Sequence, residues 1–154
     1  MGYYARCAGT YGPNTDLEAF QLSATFNQGV WHDWMDVLKD FDVMEKSAVA
    51  RGEKAYEAIA KIMKAIGFMT LVDQYNNIPY THCFDITNYM LTPYDKAEDI
   101  YKDLLEQLAK ADELLKTAEQ GENYDIGRAD VVFKGDSKMW RKLGNTQRLR
   151  MLMH

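Results

Sequence analysis

Basic runs, long apolar stretches and clustered metal-binding side chains are what this 154-residue sequence lacks. Its 18 Lys and Arg face 23 Asp and Glu, for a formal net charge of −5, and the cations alternate with acids. Phosphate binding needs a basic face, so this balance argues against a nucleic-acid partner. No apolar run approaches the ~18 residues of a transmembrane helix, and MGYYARCAGTYGP holds no signal-peptide core. The protein is therefore either cytoplasmic or without its leader. Two cysteines, Cys7 and Cys83, are too few for a disulfide framework, although a single bridge stays open. The simpler expectation is a free, packed Cys83.

Enzymatic chemistry is equally short of candidates. His32, His82 and His154 are scattered, and His82 beside Cys83 lacks the second pair that a zinc site requires. No glycine-rich phosphate loop follows a strand and no nucleophile elbow is present, so no catalytic residue and no cofactor is implied.

What is present is helical periodicity. Residues 1–27 read as an irregular lead-in punctuated at Gly9, Gly12, Pro13 and Asn14, with residues 16–26 open between a short helix and an extended segment. From about Gln28, Trp31, Trp34, Met35, Leu38 and Phe41 recur at three- and four-residue steps and predict an amphipathic helix to about Val49. A second helix is predicted from about Glu53 to Tyr75. Its C-terminal half, in Ala65 to Tyr80 (AIGFMTLVDQYNNIPY), is apolar over much of its circumference and belongs in an interior. Asn76 and Asn77 tolerate the conformation that ends a helix, and Pro79 forbids its continuation. Asp73, on this apolar helix, calls for a helix-end hydrogen bond or an arginine.

Residues 78–93 form a loop that Tyr80, Phe84, Tyr89 and Leu91 would pack. Asp95 and Glu98 then read as a variant capping box opening a third helix, marked by Ile100, Leu104, Leu108, Ala111 and Leu115. After a second loop containing a β-prone run, Val131 to Phe133, Asp136 or Ser137 would cap a fourth helix holding Trp140, Leu143, Gln147 and Met151. The expectation is an all-α fold of tetratricopeptide-like helical hairpins, about four long helices with extended loops. Residues 28–75 would form the first hairpin and 95–154 the second. The periodic pattern continues to His154, which predicts a truncated second hairpin and an incomplete domain that is marginally stable alone.

Three ordered blocks carry a family resemblance. Leu71, Val72, Tyr75, Pro79 and Tyr80 resemble a helix-ending pattern of the SusD/RagB family, with Asn76 where glycine is usual. Tyr94, Asp95, Glu98, Ile100 and Tyr101 are similar to the family's next helix opening, and Gly135, Asp136, Trp140, Asn145 and Arg150 to a third block, interrupted at Gly144, Thr146 and Gln147. The resemblance, over about Trp31 to His154, implies a partial SusD-like domain. It also implies an outer-membrane, surface-exposed lipoprotein whose anchor lies outside this chain. Such a protein binds oligosaccharide or another nutrient and passes it to a TonB-dependent (SusC-like) transporter, with no nucleic acid involved and no catalysis. The competing reading is a tetratricopeptide-like scaffold that binds protein partners only.

Sugar recognition uses aromatic faces flanked by amides or carboxylates. Asn27, Trp31 and Trp34 have that chemistry at the entrance to the first helix, and Tyr11 lies among the N-terminal tyrosines. Against this, Trp31 and Trp34 share an apolar stripe suited to core packing, and Asn27 suits a helix cap. In the third block Asp136 is expected as a cap, Trp140 as a core anchor and Asn145 as a buried amide bonded to a neighbouring turn.

Overall fold

The computed structural model describes residues 28–119 and 126–153, which form four helices: α1 (Gln28–Arg51), α2 (Lys54–Tyr75), α3 (Ala97–Glu119) and α4 (Ser137–Leu152). The chain divides into two compact units, Met1–Asp33 and Trp34–His154, so the boundary falls within α1. In the larger unit the cross-helix pairings give the directions. Leu38 lies against Gly67, Asp42 against Lys64 and Glu45 against Lys61, so numbers rise along α1 as they fall along α2. Asp112 reaches Asn145 while Glu119 meets Arg141, so numbers fall along α4 as they rise along α3 and the two make the second antiparallel pair. The observed class is the expected one: all-α, in tetratricopeptide-like hairpins.

Helix α2 is the shared element, packed against α1, α3 and α4. Ala58, Ile59, Ala60, Ile62, Ala65, Phe68, Met69, Leu71 and Val72 are all buried, and they cover more than one face. A helix that meets neighbours on several sides cannot keep a polar half, which is why its sequence loses the amphipathic pattern that α3 retains. Close approach to α1 depends on Gly67. A Cβ there would lie 2.8 Å from Leu38 Cδ2 and 3.1 Å from Trp34 Cε3.

The stop at the end of α2 is made as the sequence predicts. Asn76 takes φ 64°, and its N–H bonds to the Val72 carbonyl at 2.8 Å. Two expectations beyond it are corrected. Asp95 does not cap its own helix; it accepts from the backbone N–H groups of Tyr80 (2.9 Å) and Thr81 (2.8 Å), across the loop. The free amide of Ala97 is met instead by Asn77 Oδ1 at 3.0 Å, and Glu98 pairs with Lys102. Leu91 is 91% exposed and packs no loop, whereas Tyr80 and Phe84 do close on Phe68, with ring centroids 4.7 and 6.2 Å away. Tyr89 stacks on His82 at 3.9 Å.

The connection into α4 is turns, not strand, at Val131 to Phe133. Asp130 draws it together, accepting from the N–H groups of Val132, Phe133 and Gly135 and, at 2.6 Å, from Trp140 Nε1. A carboxylate fed by three amides competes successfully with pairing as a strand. Gly135, at φ 86°, passes so close to Gly127 that a Cβ would meet its Cα at 2.9 Å. Asp136 caps α4 as expected, accepting from Lys138 and Met139 N–H, and Trp140 is buried edge-on against Phe133. Asn145, by contrast, is exposed and reaches Asp112 on α3 at 3.5 Å, because its position on α4 faces the neighbouring helix rather than a turn.

Candidate binding cleft and the clamp beneath it

Residues 79–94 leave the helical array and return to it through a clamp. Ile78 and Asp95 form an isolated antiparallel bridge, with Asp95 N–H donating to the Ile78 carbonyl at 2.9 Å. The Asp95 carboxylate and Asn77 amide add the bonds described above, and the Tyr80 hydroxyl donates to Asp103 on α3. Burial, then the Asp103 hydrogen bond and charge, push the Tyr80 phenol far above its usual pKa, so it stays a neutral donor. A loop whose two ends are pinned within one residue pair has its direction set by the helices.

A second tie lies one turn back. Tyr101 OH donates to Asp73, and Arg150 Nη2 lies 4.0 Å from the other Asp73 oxygen. Of the partners anticipated for Asp73 the arginine is present, while the hydrogen bond comes from the Tyr101 hydroxyl on α3 rather than from a helix end. Asp73, Tyr101 and Arg150 each sit in a different one of the three sequence blocks, so the blocks converge in space.

Between α1, α2, the start of α3 and this loop lies a cleft of about 440 Å³. Phe68, Tyr80 and Phe84 supply its aromatic side; Asp85, Asp99 and Lys46 are among its polar groups. Its floor is an ion network absent from the sequence reading. Lys64 Nζ bonds Asp42 at 2.7 Å and Glu45 at 2.9 Å; Lys61 bonds Glu45 and Gln107; Lys46 reaches Asp42 at 2.6 Å. Burial pushes Asp42 and Glu45 upward, but hydrogen bonds from the lysines outweigh it and hold both below the usual carboxylate range. Lys64 is held above its usual value, the two carboxylates outweighing its desolvation. A signal existed: acids three apart on α1 oppose lysines three apart on α2, the complementary spacing of an antiparallel pair. Cys83, at the cleft wall, is a free thiol pushed up to about 12, chiefly by burial, which leaves it inert as a nucleophile. Among the described residues no group of three or more His, Cys, Asp or Glu is arranged to hold a metal.

Of the four residues singled out for sugar contact, neither Trp31 nor Trp34 is among the described residues that line the cleft. Trp34 lies half-buried with its ring over Gly67. Trp31 is half-buried within the smaller unit, next in the chain to the exposed His32, whose side chain meets Gln28 at 3.2 Å. Asn27 and Tyr11 lie outside the described residues.

The sequence matches, over residues 2–154, the SusD-like family described as starch-binding and associating with the outer membrane. This chain belongs to the SusD-like family. Among solved structures it is similar to a SusD homologue from Bacteroides fragilis (30% identity, TM-score 0.69, covering 79% of this chain and 25% of that one). It is also similar to an outer-membrane protein from Bacteroides vulgatus with a suggested part in nutrient binding (34% identity, TM-score 0.66, with the same coverages). A chitin-binding protein shares the fold over 99% of this chain and 32% of its own, at 24% identity and TM-score 0.79. No curated protein matches the sequence. The chain thus spans between a quarter and a third of the length of these solved structures. The clamp joins the first two of the three sequence blocks, and the Asp73 tie brings in the third through Arg150.

Proposed function

We propose that this chain is the scaffold portion of a cell-surface protein that binds glycan or another nutrient and delivers it, chemically unchanged, to a TonB-dependent transporter. The observation that carries the reading is the joining of the first two blocks at Asp95, with the third brought to Asp73 by Arg150. It fixes the base of the 79–94 loop and so makes the array a support for aimed loops. The family description, starch-binding and outer-membrane-associated, supplies the ligand class and the location. No helix among the described residues is long and apolar enough to cross a membrane, and a lipid anchor would hold the protein at the surface. Asn27, Trp31, Trp34 and Tyr11 are the contact candidates; of these, Trp34 doubles as packing against α2.

Isothermal titration of the full-length protein against a glycan panel, with tryptophan fluorescence as a second readout, tests the proposal. Saturable binding without product formation is expected; silence across the panel sinks it, and released product would make the protein an enzyme. A second reading, a scaffold for protein partners only, draws on Ile86, Met90, Leu91 and Tyr94, each 72% or more exposed on the clamped loop. It predicts co-purifying protein and no saccharide response.

A further inference from the structure

A groove of about 740 Å³ opens on α2, α3 and α4, away from the aromatic cleft. Its charges do not balance in pairs. Glu57 is held by Lys61 at 3.7 Å, Glu113 by Lys116 at 2.7 Å, and Asp112 by Lys116 at 2.9 Å and Arg141 at 2.8 Å. The two remaining cations that line it, Lys110 and Arg148, have no acceptor among the described residues, and Arg148 Nε is shut off from water without a partner. A carboxylate in the groove would give the outer nitrogens of the Arg148 guanidinium an acceptor, since two parallel N–H···O bonds match its shape. The lining includes no aromatic ring, so a neutral sugar would lack the stacking face on which it is usually held, while Thr117 and the paired carboxylates offer acceptors for hydroxyls.

We propose that this groove binds an acidic saccharide, its carboxylate on Arg148 and Lys110 and its hydroxyls on the paired acids. The inference rests on the glycan reading above and adds the class of sugar and a place for it. The test is calorimetric titration of the full-length protein with oligogalacturonate, with a neutral glucose oligomer of equal length, and with inorganic phosphate, at low and physiological salt. The acidic oligomer is expected to bind at least about tenfold tighter than the neutral one and to weaken with salt. Arg148→Gln and Lys110→Gln are each expected to weaken it about tenfold while leaving the neutral oligomer unaffected. Lys110 is exposed, so its variant keeps the test valid should Arg148→Gln fail to fold. Equal affinity for both oligomers, acidic affinity untouched by Lys110→Gln, or phosphate binding as tightly as the acidic sugar would each overturn the groove assignment. Neutral binding alone would leave the glycan reading standing and remove this one; binding of no saccharide would remove both.

Discussion

The Tyr101 phenol is pushed up to about 12, first by burial and then by the Asp73 carboxylate to which it donates. Because an unfolded tyrosine ionises near ~10, this raised value stabilises the fold fully below that pH, and the contribution is lost as pH rises through the folded value. Tyr101→Phe removes the donor but keeps the ring. The expected loss is about 1 to 2 kcal/mol at neutral pH, the usual range for a hydrogen bond to a charged acceptor that keeps partial access to water. Urea denaturation at pH 7 measures it, and ultraviolet titration of the wild-type chain should lose its latest-ionising tyrosine fraction in the variant only in part, because Tyr80 is also held late. An unchanged midpoint would mean that the Asp73 tie contributes nothing to the array. Arg150, at 4.0 Å and more than half exposed, is expected to matter less than Tyr101.

At the scale of the helix, α2 is governed by two positions with opposite tolerance. Gly67→Ala would gain roughly 1 kcal/mol of helix propensity. It would also force a methyl to within 2.8 Å of Leu38 and 3.1 Å of the Trp34 ring, at an overpacking cost of about 1 to 3 kcal/mol. The net expectation is a loss of about 1 kcal/mol. Asn76→Gly is expected to be neutral or to stabilise slightly, since φ 64° suits glycine, whereas Asn76→Val should lose at least about 1 kcal/mol. Thermal melts of the three variants check the ordering. The helices and their stops were legible in the sequence because periodicity and a left-handed residue before a proline are local signals. The errors fell where a side chain chose a distant partner over a local one. Asp95 turned back to Tyr80 and Thr81 and Asn145 faced α3, whereas at Asp130 it was a local carboxylate that gathered a run whose composition suggested strand. The candidate site was less legible still. Trp31 and Trp34 were visible as aromatic residues, but neither cleft nor groove can be read before α1, α2, α3 and α4 are placed.

Across the whole molecule, charge stitches together helices that apolar packing has already aligned. Lys64 bridges Asp42 and Glu45 between α1 and α2, Lys61 carries the network to Gln107 on α3, and Arg141 ties α4 back to Asp112 and Glu119. Asp42, Glu45, Asp112 and Asp130 are each held below the usual carboxylate range, their hydrogen bonds outweighing burial. Depressed carboxylates contribute stability above their unfolded values of about 4 and lose it as pH falls through the lower folded values. Lys64 and Tyr101 have the opposite sign, contributing below about 10 and losing their part as pH rises beyond it. The urea midpoint should therefore be flat between about pH 5 and 9 and fall on both sides. Glu45→Gln keeps the shape of the side chain but removes the charge, leaving Lys61 and Lys64 with one fewer counter-ion in a partly buried place. It should lower the plateau by about 1 to 3 kcal/mol and make the acid limb shallower, since one fewer depressed carboxylate remains to be protonated. An acid limb of unchanged steepness would assign the pH dependence to the remaining depressed carboxylates, Asp42 on α1 together with the Asp112 and Asp130 ties of α4.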